Sequence, residues 1–311
     1  MVKLLPLRLI ERVFRLKKTN LGLLIGLITY LMWGFLSLFW KLLSGVNSYN
    51  TFSYRIVFTV ITMLIYMVLS GNTKRYQTEL RQLFHNKKAL GAMLFASIMI
   101  AINWLTYIFA VSHGQATEAS LGYYIMPLVS IVLSLAVLHE HLSRSMVIAV
   151  LVALVGVGLL IYNTGHLPLI SVTLALSFGI YGLLKKEVTL SSDVAMLVES
   201  AVITPFALIY LIFFAKESMV DYSAMENTLL IISGVVTAIP LLLFAEAVKR
   251  APLNIIGFIQ YINPTIQLLL AIFLFGEGIT QGELSGFAFI WLAIIIFSLG
   301  QVNSLRKKAS K

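Results

Sequence analysis

Two stretches of this chain share one pattern, and they decide the fold. The first is Glu118-Ala-Ser-Leu-Gly-Tyr-Tyr-Ile-Met-Pro127-Leu-Val-Ser-Ile-Val-Leu-Ser-Leu-Ala-Val-Leu-His-Glu140, and the second is Gln260-Tyr-Ile-Asn-Pro264-Thr-Ile-Gln-Leu-Leu-Leu-Ala-Ile-Phe-Leu-Phe-Gly-Glu277. Each is an apolar helix with Tyr-Ile-X before a proline and a glutamate thirteen residues after it. A proline inside a helix frees the carbonyl four residues earlier, which needs a new partner when the helix crosses a membrane. A matched pair of such interruptions in two halves of a membrane chain indicates a transport site.

The composition is that of an integral membrane protein. Hydrophobic residues make up 59% of the chain and charged residues 12%, with a mean hydropathy of +0.93. Soluble domains are about half apolar and one quarter charged. The formal net charge of +10 does not indicate nucleic-acid binding, because the basic residues lie in short connections between apolar runs. The chain has no cysteine, which excludes disulfides and thiol chemistry.

The apolar runs predict ten transmembrane helices, each close to the length of about 20 residues that crosses a bilayer. Their approximate bounds are 21–43, 52–70, 89–111, 118–138, 146–162, 167–184, 193–214, 228–248, 253–275 and 285–303. With the N-terminus in the cytoplasm, twenty Lys and Arg residues fall in cytoplasmic segments and only Lys216 in an outside loop. We therefore expect a multi-pass protein of the cell (inner or plasma) membrane with both termini cytoplasmic.

The chain is predicted to consist of two related halves. An offset of 137 residues aligns 103–140 with 240–277, and it brings Pro127 onto Pro264 and Glu140 onto Glu277. This predicts a first five-helix repeat at 21–162 and a second at 163–303, inverted relative to each other because five is odd. A basic cytoplasmic arm at 1–20 and a basic tail at 304–311 flank the repeats. The arm is either an anchor of topology or an interfacial amphipathic helix.

Several short motifs resemble one known family. They are Tyr30-Leu-Met-Trp-Gly34, Asn103-Trp104, Glu118-Ala-Ser-Leu-Gly-Tyr123, Ser177-Phe-Gly-Ile-Tyr-Gly182 and Phe258-Ile-Gln-Tyr-Ile-Asn-Pro264. Together with the repeats they resemble the EamA group of the drug/metabolite transporter superfamily, and within it the RarD-type permeases. The resemblance implies an all-α integral membrane protein with ten transmembrane helices in two inverted five-helix repeats. It also implies a transporter of small metabolites or drugs, usually an exporter.

The two prolines predict where a substrate site lies. They free the carbonyls of Tyr123 and Gln260, and we expect Tyr123, Tyr124, Gln260, Tyr261 and Asn263 to line a polar cavity between the repeats. The alternative is a pair of packing kinks at Pro127 and Pro264 with tyrosines in the core. Three further residues are candidates for the cavity wall or, alternatively, for ordinary helix packing: Asn103, Tyr107 and Trp33.

Charged side chains inside the spans are few, and each is costly in a membrane. Arg55 either extends to the membrane interface or lines the transport path. Glu199, at nearly the matching place in the seventh span, is a candidate for proton coupling, because intramembrane carboxylates form proton relays in transporters. Glu140 and Glu277 are expected to form caps or salt bridges. Glu246 is expected to pair along its own helix with Lys249 or Arg250.

These observations favour a secondary transporter that moves a small organic molecule by alternating access, with a lipid flippase or a membrane receptor as alternatives. No nucleotide-binding motif is present, and no cofactor is expected. An enzyme is disfavoured because the two aspartates, Asp193 and Asp221, lie outside span interiors. His139-Glu140-His141 does not have the spacing of a metal site. Ala149, Ala153 and Gly156 allow close helix packing within or between monomers, which leaves the oligomeric state open.

Overall fold

The computed structural model describes residues 5–112, 116–164, 169–274 and 280–309. Within these ranges the chain forms twelve α-helices, and ten segments are long and apolar enough to cross a membrane. The helices are α1 (Leu5–Lys41), α2 (Ser48–Leu69), α3 (Thr73–His85), α4 (Lys87–Ser112), α5 (Ala116–Ala136), α6 (Arg144–Thr164), α7 (Leu169–Glu187), α8 (Ser192–Phe213), α9 (Ala224–Arg250), α10 (Leu253–Ile259), α11 (Ile262–Phe273) and α12 (Gln281–Ala309). The predicted all-α fold with ten spans is confirmed.

Two helical regions go beyond the predicted spans. Helix α1 begins at Leu5, so the basic arm continues into the first span as one helix. Helix α3 lies between the second and third predicted spans, in a segment predicted to be a charged connection. It is polar overall but buries Tyr76 and Leu83, which lie seven residues and so two turns apart on one face. With 13 residues it is too short to span a bilayer.

The two prolines have unequal effects on their helices. Helix α5 continues past Pro127, whereas the ninth span is divided into α10 and α11 at Gln260 and Tyr261. Pro264 lies in the first turn of α11, where the missing N–H group would have no partner in any case. The carbonyl of Gln260, predicted to be free, accepts the N–H of Asn263 at 3.0 Å. The prediction of two equivalent interruptions is therefore wrong, since the ninth span is divided and the fourth, α5, is continuous.

The helix packing follows the predicted repeat. The pair α1 and α11 corresponds to α7 and α5, α1 and α9 to α7 and α4, and α2 and α9 to α8 and α4. The correspondence extends to single residues: a Cβ on Gly34 would lie 2.7 Å from Ile266, and one on Gly179 would lie 2.7 Å from Val129. Val129 and Ile266 are matched by the offset of 137 residues, and Gly34 and Gly179 by the offset of 145 residues that aligns Trp33-Gly34 and Lys41 with Phe178-Gly179 and Lys186. This is the pattern expected when two related halves face each other.

Successive spans alternate in direction, so the connections divide between two faces of the bundle. We call one the terminal face, where α1 begins, α12 ends and residues 70–72, 188–191 and 251–252 lie. The opposite face carries residues 42–47 and 214–223. Helices α6 and α12 are antiparallel neighbours, with Gly300 against Ser145 near one face and Gly282 against Asn163 near the other. The small residues of α6 are used within the monomer, because Ala149 and Ala153 are fully buried and Gly156 contacts Gly286.

Candidate functional site

A cavity of about 500 Å³ lies between the two halves of the chain. Its wall is formed by α1, α2, α4, α5, α7, α9 and α11, together with Gln260 at the break in the ninth span. It extends to Leu43, Ser44 and Val46 in the connection between α1 and α2, which places its mouth on the opposite face. The volume is in the range of small-molecule sites.

Seven of the nine residues predicted for substrate binding line this cavity. They are Trp33, Arg55, Asn103, Tyr107, Tyr123, Gln260 and Asn263. They come from five different segments, so the fold brings together residues that are up to 230 positions apart in the chain. The break in the ninth span contributes directly, since Gln260 and Asn263 flank it.

The remaining two residues predicted for the cavity, Tyr124 and Tyr261, do not line it, so the prediction is corrected for them. Both are buried in a separate apolar cluster with α6 and α12, where the Tyr124 ring lies 5.0 Å from Phe287. The Tyr124 hydroxyl donates to the carbonyl oxygen of Pro264 at 3.2 Å. Consecutive helical residues point about 100° apart, so Tyr123 and Tyr124 cannot face the same cavity. Here the alternative interpretation, tyrosines in the core, is correct.

Arg55 is the charged residue deepest in the wall of the cavity. Its guanidinium carbon lies 4.5 Å from the ring centre of Trp104, 5.2 Å from Trp40 and 5.4 Å from Phe52. Helix α2 begins at Ser48, so Arg55 lies about 10 Å along it, twice as far as the predicted span boundary implied. The side chain therefore points into the bundle rather than to the membrane interface. Within the described ranges no carboxylate lies within 4.0 Å of it.

Several polar atoms on the cavity wall have no hydrogen-bond partner among the described residues. They are Tyr30 Oη, Thr51 Oγ1, Arg55 Nε and Thr237 Oγ1. Each is able to donate a hydrogen bond. A buried donor without a partner costs about 1–3 kcal/mol, so such groups are commonly satisfied by ligand or water. The residues of the wall thus include donors without a protein partner, although the donor atoms themselves are buried in this state.

Other polar residues of the wall are held by the protein itself. The Asn103 amide donates to the carbonyl of Leu174 at 2.9 Å and to Ser177 Oγ at 3.1 Å, which ties α4 to α7. Asn263 Oδ1 accepts from Gln267 Nε2 at 3.0 Å. Asn103 therefore has both roles considered for it, a cavity residue and a link between helices.

An aromatic cluster closes the cavity toward the terminal face. Trp33 lies 5.5 Å from Tyr30, 5.8 Å from Phe178 and 5.6 Å from Phe244, measured between ring centres. Tyr181 stacks on Phe244 at 5.9 Å. Trp33 is thus part of a packed floor as well as of the cavity wall.

Beneath this floor lies a buried ion pair that contains Glu199. Its Oε1 is 2.9 Å from Lys185 Nζ, and its Oε2 accepts from the Tyr181 hydroxyl at 3.0 Å. The two charged side chains are 1% and 3% exposed. Glu199 does not line the cavity. Lys185 had been counted among the loop cations, yet it belongs to the last turn of α7 and points inward.

Glu140 fastens the two halves together at the terminal face. Its two carboxylate oxygens accept the backbone N–H groups of Leu253 and Asn254, each at 2.9 Å, at the start of α10. Lys186 Nζ lies 3.3 Å from the same carboxylate. The predicted cap and salt bridge are confirmed for Glu140. Its repeat partner Glu277 lies outside the described residues.

Helix α3 makes a second connection at this face. Arg75 pairs with Asp193, and the Tyr76 hydroxyl donates to the same carboxylate at 2.9 Å. Glu79 accepts the N–H and the hydroxyl of Ser191 at 2.7 and 2.8 Å. Burial, and then the hydrogen bond to Asp193, raise the pKa of Tyr76 above its ordinary value, so its hydroxyl remains a donor.

The remaining charged predictions are also resolved in this region. Glu246 accepts from Arg250 Nε at 2.8 Å, the helical pair expected four residues apart. Lys249 instead donates to the carbonyl of Leu190. Among the described residues no group of three or more His, Asp or Glu side chains is placed to hold a metal ion.

Comparison with known proteins gives a consistent result. Residues 20–162 and 168–299 match the EamA-like transporter family. The "Uncharacterized transporter YojE" of Bacillus subtilis (strain 168) is 40% identical over 298 residues, which span 94% of this chain and 98% of that protein. "Protein RarD" of Escherichia coli (strain K12) is 35% identical over 294 residues, with 94% and 98% covered. One solved crystal structure has a TM-score of 0.68 at 17% identity, covers 90% of this chain and 97% of its own, and supports the fold alone.

Proposed function

Because the chain belongs to the EamA-like transporter family, we propose that it is a secondary transporter that moves a small organic molecule across the cell membrane by alternating access. It is a multi-pass membrane protein, and its relatives carry transporter or RarD names. The observation that carries the proposal is a cavity between two related halves that reaches one face and is closed toward the other. That is the arrangement of a carrier in one of its two access states.

The direction of opening follows from the charge distribution. The basic residues concentrate on the terminal face, and the positive-inside bias then assigns that face to the cytoplasm. The cavity mouth would accordingly be on the outside of the cell. In an exporter this is the state from which substrate is released.

Access can move from one face of the bundle to the other only if contacts at the closed face break, and the two faces differ in these contacts. At the terminal face the aromatic floor, the Lys185–Glu199 pair and the Glu140 cap all join segments of different helices. At the opposite face Asn50 Nδ2 contacts the Tyr222 hydroxyl at 2.6 Å, and burial raises the pKa of Tyr222 to about 12. Opening the floor would break the contacts at the terminal face, whereas the Asn50–Tyr222 contact is already present while the mouth is open.

A cysteine-free chain allows a direct test of alternating access. Ser37→Cys places a thiol on the cavity wall, and Ser192→Cys places a matched thiol at the terminal face, where Ser192 is 5% exposed. We expect an impermeant thiol reagent to modify the first variant from the opposite face only. Transported solutes should change the two labelling rates in opposite directions, measured in oriented vesicles. Equal labelling of Ser37→Cys from both sides would indicate a channel.

Glu199 remains our candidate for proton coupling. The charged or titratable groups that interact with it are Lys185, Tyr181 and, electrostatically, Lys249. Protonation of the carboxylate would break its pair with Lys185 beneath the cavity floor. Flux in liposomes should respond to an imposed pH gradient in the wild type, and Glu199→Gln should abolish that response while retaining exchange without a gradient. A gradient effect that persists in Glu199→Gln would assign the coupling elsewhere.

One observation favours lipid translocation as a second candidate. An apolar groove of about 230 Å³ lies between α2, α4 and α8, and Phe52 separates it from the central cavity. Its lining includes Leu105 and Phe206, which are exposed on the outer surface of the bundle. Transfer of a fluorescent phospholipid between leaflets of reconstituted vesicles would support this candidate. Flux of water-soluble solutes without lipid transfer would leave the carrier as proposed, whereas ligand binding with neither would indicate a receptor.

A further inference from the structure

The charged side chains that line the cavity are all basic. The wall includes Arg55 and Lys41, and no aspartate or glutamate belongs to it among the described residues. Two acidic side chains on the terminal side of the cavity floor already form ion pairs within the protein: Glu199 with Lys185 and Glu246 with Arg250. A space lined by one sign of charge concentrates ligands of the other sign.

Among the described residues, no anionic side chain forms an ion pair with Arg55. Three aromatic rings lie within 5.4 Å of the guanidinium carbon, and their faces stabilise a cation without neutralising it. Arg55 Nε is buried and has no hydrogen-bond partner in the described part of the chain. Charged residues within spans normally pair with an opposite charge or line a water-filled path, so this arrangement points to a ligand.

The shape of the guanidinium narrows the chemistry further. Its planar fork of N–H groups matches the two oxygens of a carboxylate or similar group. The rings of Trp40 and Trp104 flank the guanidinium, and the unpartnered donors Tyr30 Oη, Thr51 Oγ1 and Thr237 Oγ1 belong to residues of the same wall. All four unpartnered groups are donors, so they suit a ligand rich in acceptor oxygens.

We propose that the cavity binds a small organic anion, such as a carboxylate, whose anionic group pairs with Arg55. This inference rests on the proposed transport function and names its substrate class. Cationic and neutral compounds of the same skeleton bind weakly, because they leave the arginine charge unpaired. The Trp40 and Trp104 rings enclose the charge that selects the ligand, so binding there is expected to change their fluorescence.

Binding is measured without transport, on the full chain in lipid nanodiscs, by intrinsic tryptophan fluorescence. The probes are matched sets in which one carbon skeleton carries a carboxylate, a primary amide or an amine. We expect saturable changes with carboxylates and at least tenfold weaker binding of the amide and amine. Arg55→Gln should weaken carboxylate binding at least tenfold, and Arg55→Lys by a smaller factor. Arg144→Gln removes the same charge from an exposed site at the start of α6 and should leave binding unchanged.

Three results would overturn the inference. One is amine or amide binding as tight as that of the carboxylate, and another is unchanged carboxylate affinity in Arg55→Gln. The third is that no carboxylate of any probe set binds at concentrations up to about 10 mM. Such an affinity would be weaker than that of a marginal, millimolar ligand. Flux in liposomes distinguishes this failure from that of transport. Protein-dependent flux of amines alone would reject an anionic substrate but support the transport function. Carboxylate binding without flux of any compound would support the anionic ligand but reject the transport function.

Discussion

The buried Lys185–Glu199 pair allows a quantitative test of how this membrane protein tolerates charge. Both side chains are almost fully buried, and the Tyr181 hydroxyl donates a further hydrogen bond to Glu199. Glu199→Gln keeps an oxygen that accepts from Tyr181 but leaves the Lys185 ammonium buried without a counter-charge. Breaking a buried pair in this way costs about 3–5 kcal/mol, whereas replacing both partners by neutral side chains is often close to neutral. We therefore expect a large loss of stability in the single variant and a loss of about 1 kcal/mol in Glu199→Gln with Lys185→Met.

The assay is reversible unfolding in mixed detergent micelles, followed by tryptophan fluorescence, for wild type, each single variant and the double variant. Arg250→Gln is the matched control, because it breaks the Arg250–Glu246 pair, whose side chains are each 33% exposed. Such a pair contributes about 0–1 kcal/mol. A Glu199→Gln variant as stable as wild type would show that Lys185 carries no charge in the fold. A double variant less stable than both singles would refute the account of an isolated buried pair.

Three further predictions follow from the packing. A Cβ on Gly234 would overlap the carbonyl oxygen of Phe58 in α2, so Gly234→Ala should destabilise the fold by about 1–3 kcal/mol. Gly158 has open space around it, so Gly158→Ala should not destabilise the fold. Thermal unfolding of the two variants tests this difference. Glu140→Gln should lose about 1–3 kcal/mol, because it weakens two hydrogen bonds to α10 and removes the charge that faces Lys186, and faster labelling of Ser192→Cys would report the loosened terminal face. Tyr124→Phe should lower stability by about 1 kcal/mol without affecting ligand binding, since its hydroxyl contacts Pro264 outside the cavity; a selective loss of binding would contradict that placement.

The sequence was sufficient to predict the fold because membrane spans are encoded locally. A run of about 20 apolar residues identifies a helix without knowledge of its neighbours, and the ten predicted spans agree with the ten found. The aligned prolines indicated which spans approach the centre. The same signal led to Tyr123, Gln260 and Asn263, and the rarity of charges within spans led to Arg55; all four line the cavity.

The errors have a common physical origin, which is rotation about a helix axis. Hydropathy gives the position of a residue along the membrane normal but not the direction in which it points. Tyr123 and Tyr124 are equally deep, yet one faces the cavity and the other packs against Phe287. Lys185 was misplaced for a related reason: it is close to a helix end, and its long side chain turns inward toward a carboxylate 14 residues away in the sequence.

Helix α3 was not predicted because its segment contains few apolar residues, and the predicted helices were found from long apolar runs. Its apolar contacts with the bundle come from Tyr76, Leu80 and Leu83, and the rest of the segment is largely polar. A search for the helical period rather than for average hydropathy finds this stripe, since the three residues are spaced by four and three positions.

The short helix α10 has a mechanical consequence. It contains 7 residues and is therefore about 10 Å long. Glu140, from the other half of the chain, grips one end, and Gln260 of the cavity wall lies at the other, directly before the break that separates α10 from α11. A rigid helix that shifts along its own axis moves both ends by the same distance. A displacement of Gln260 at the cavity wall would therefore also displace the Glu140 contact at the other end of α10.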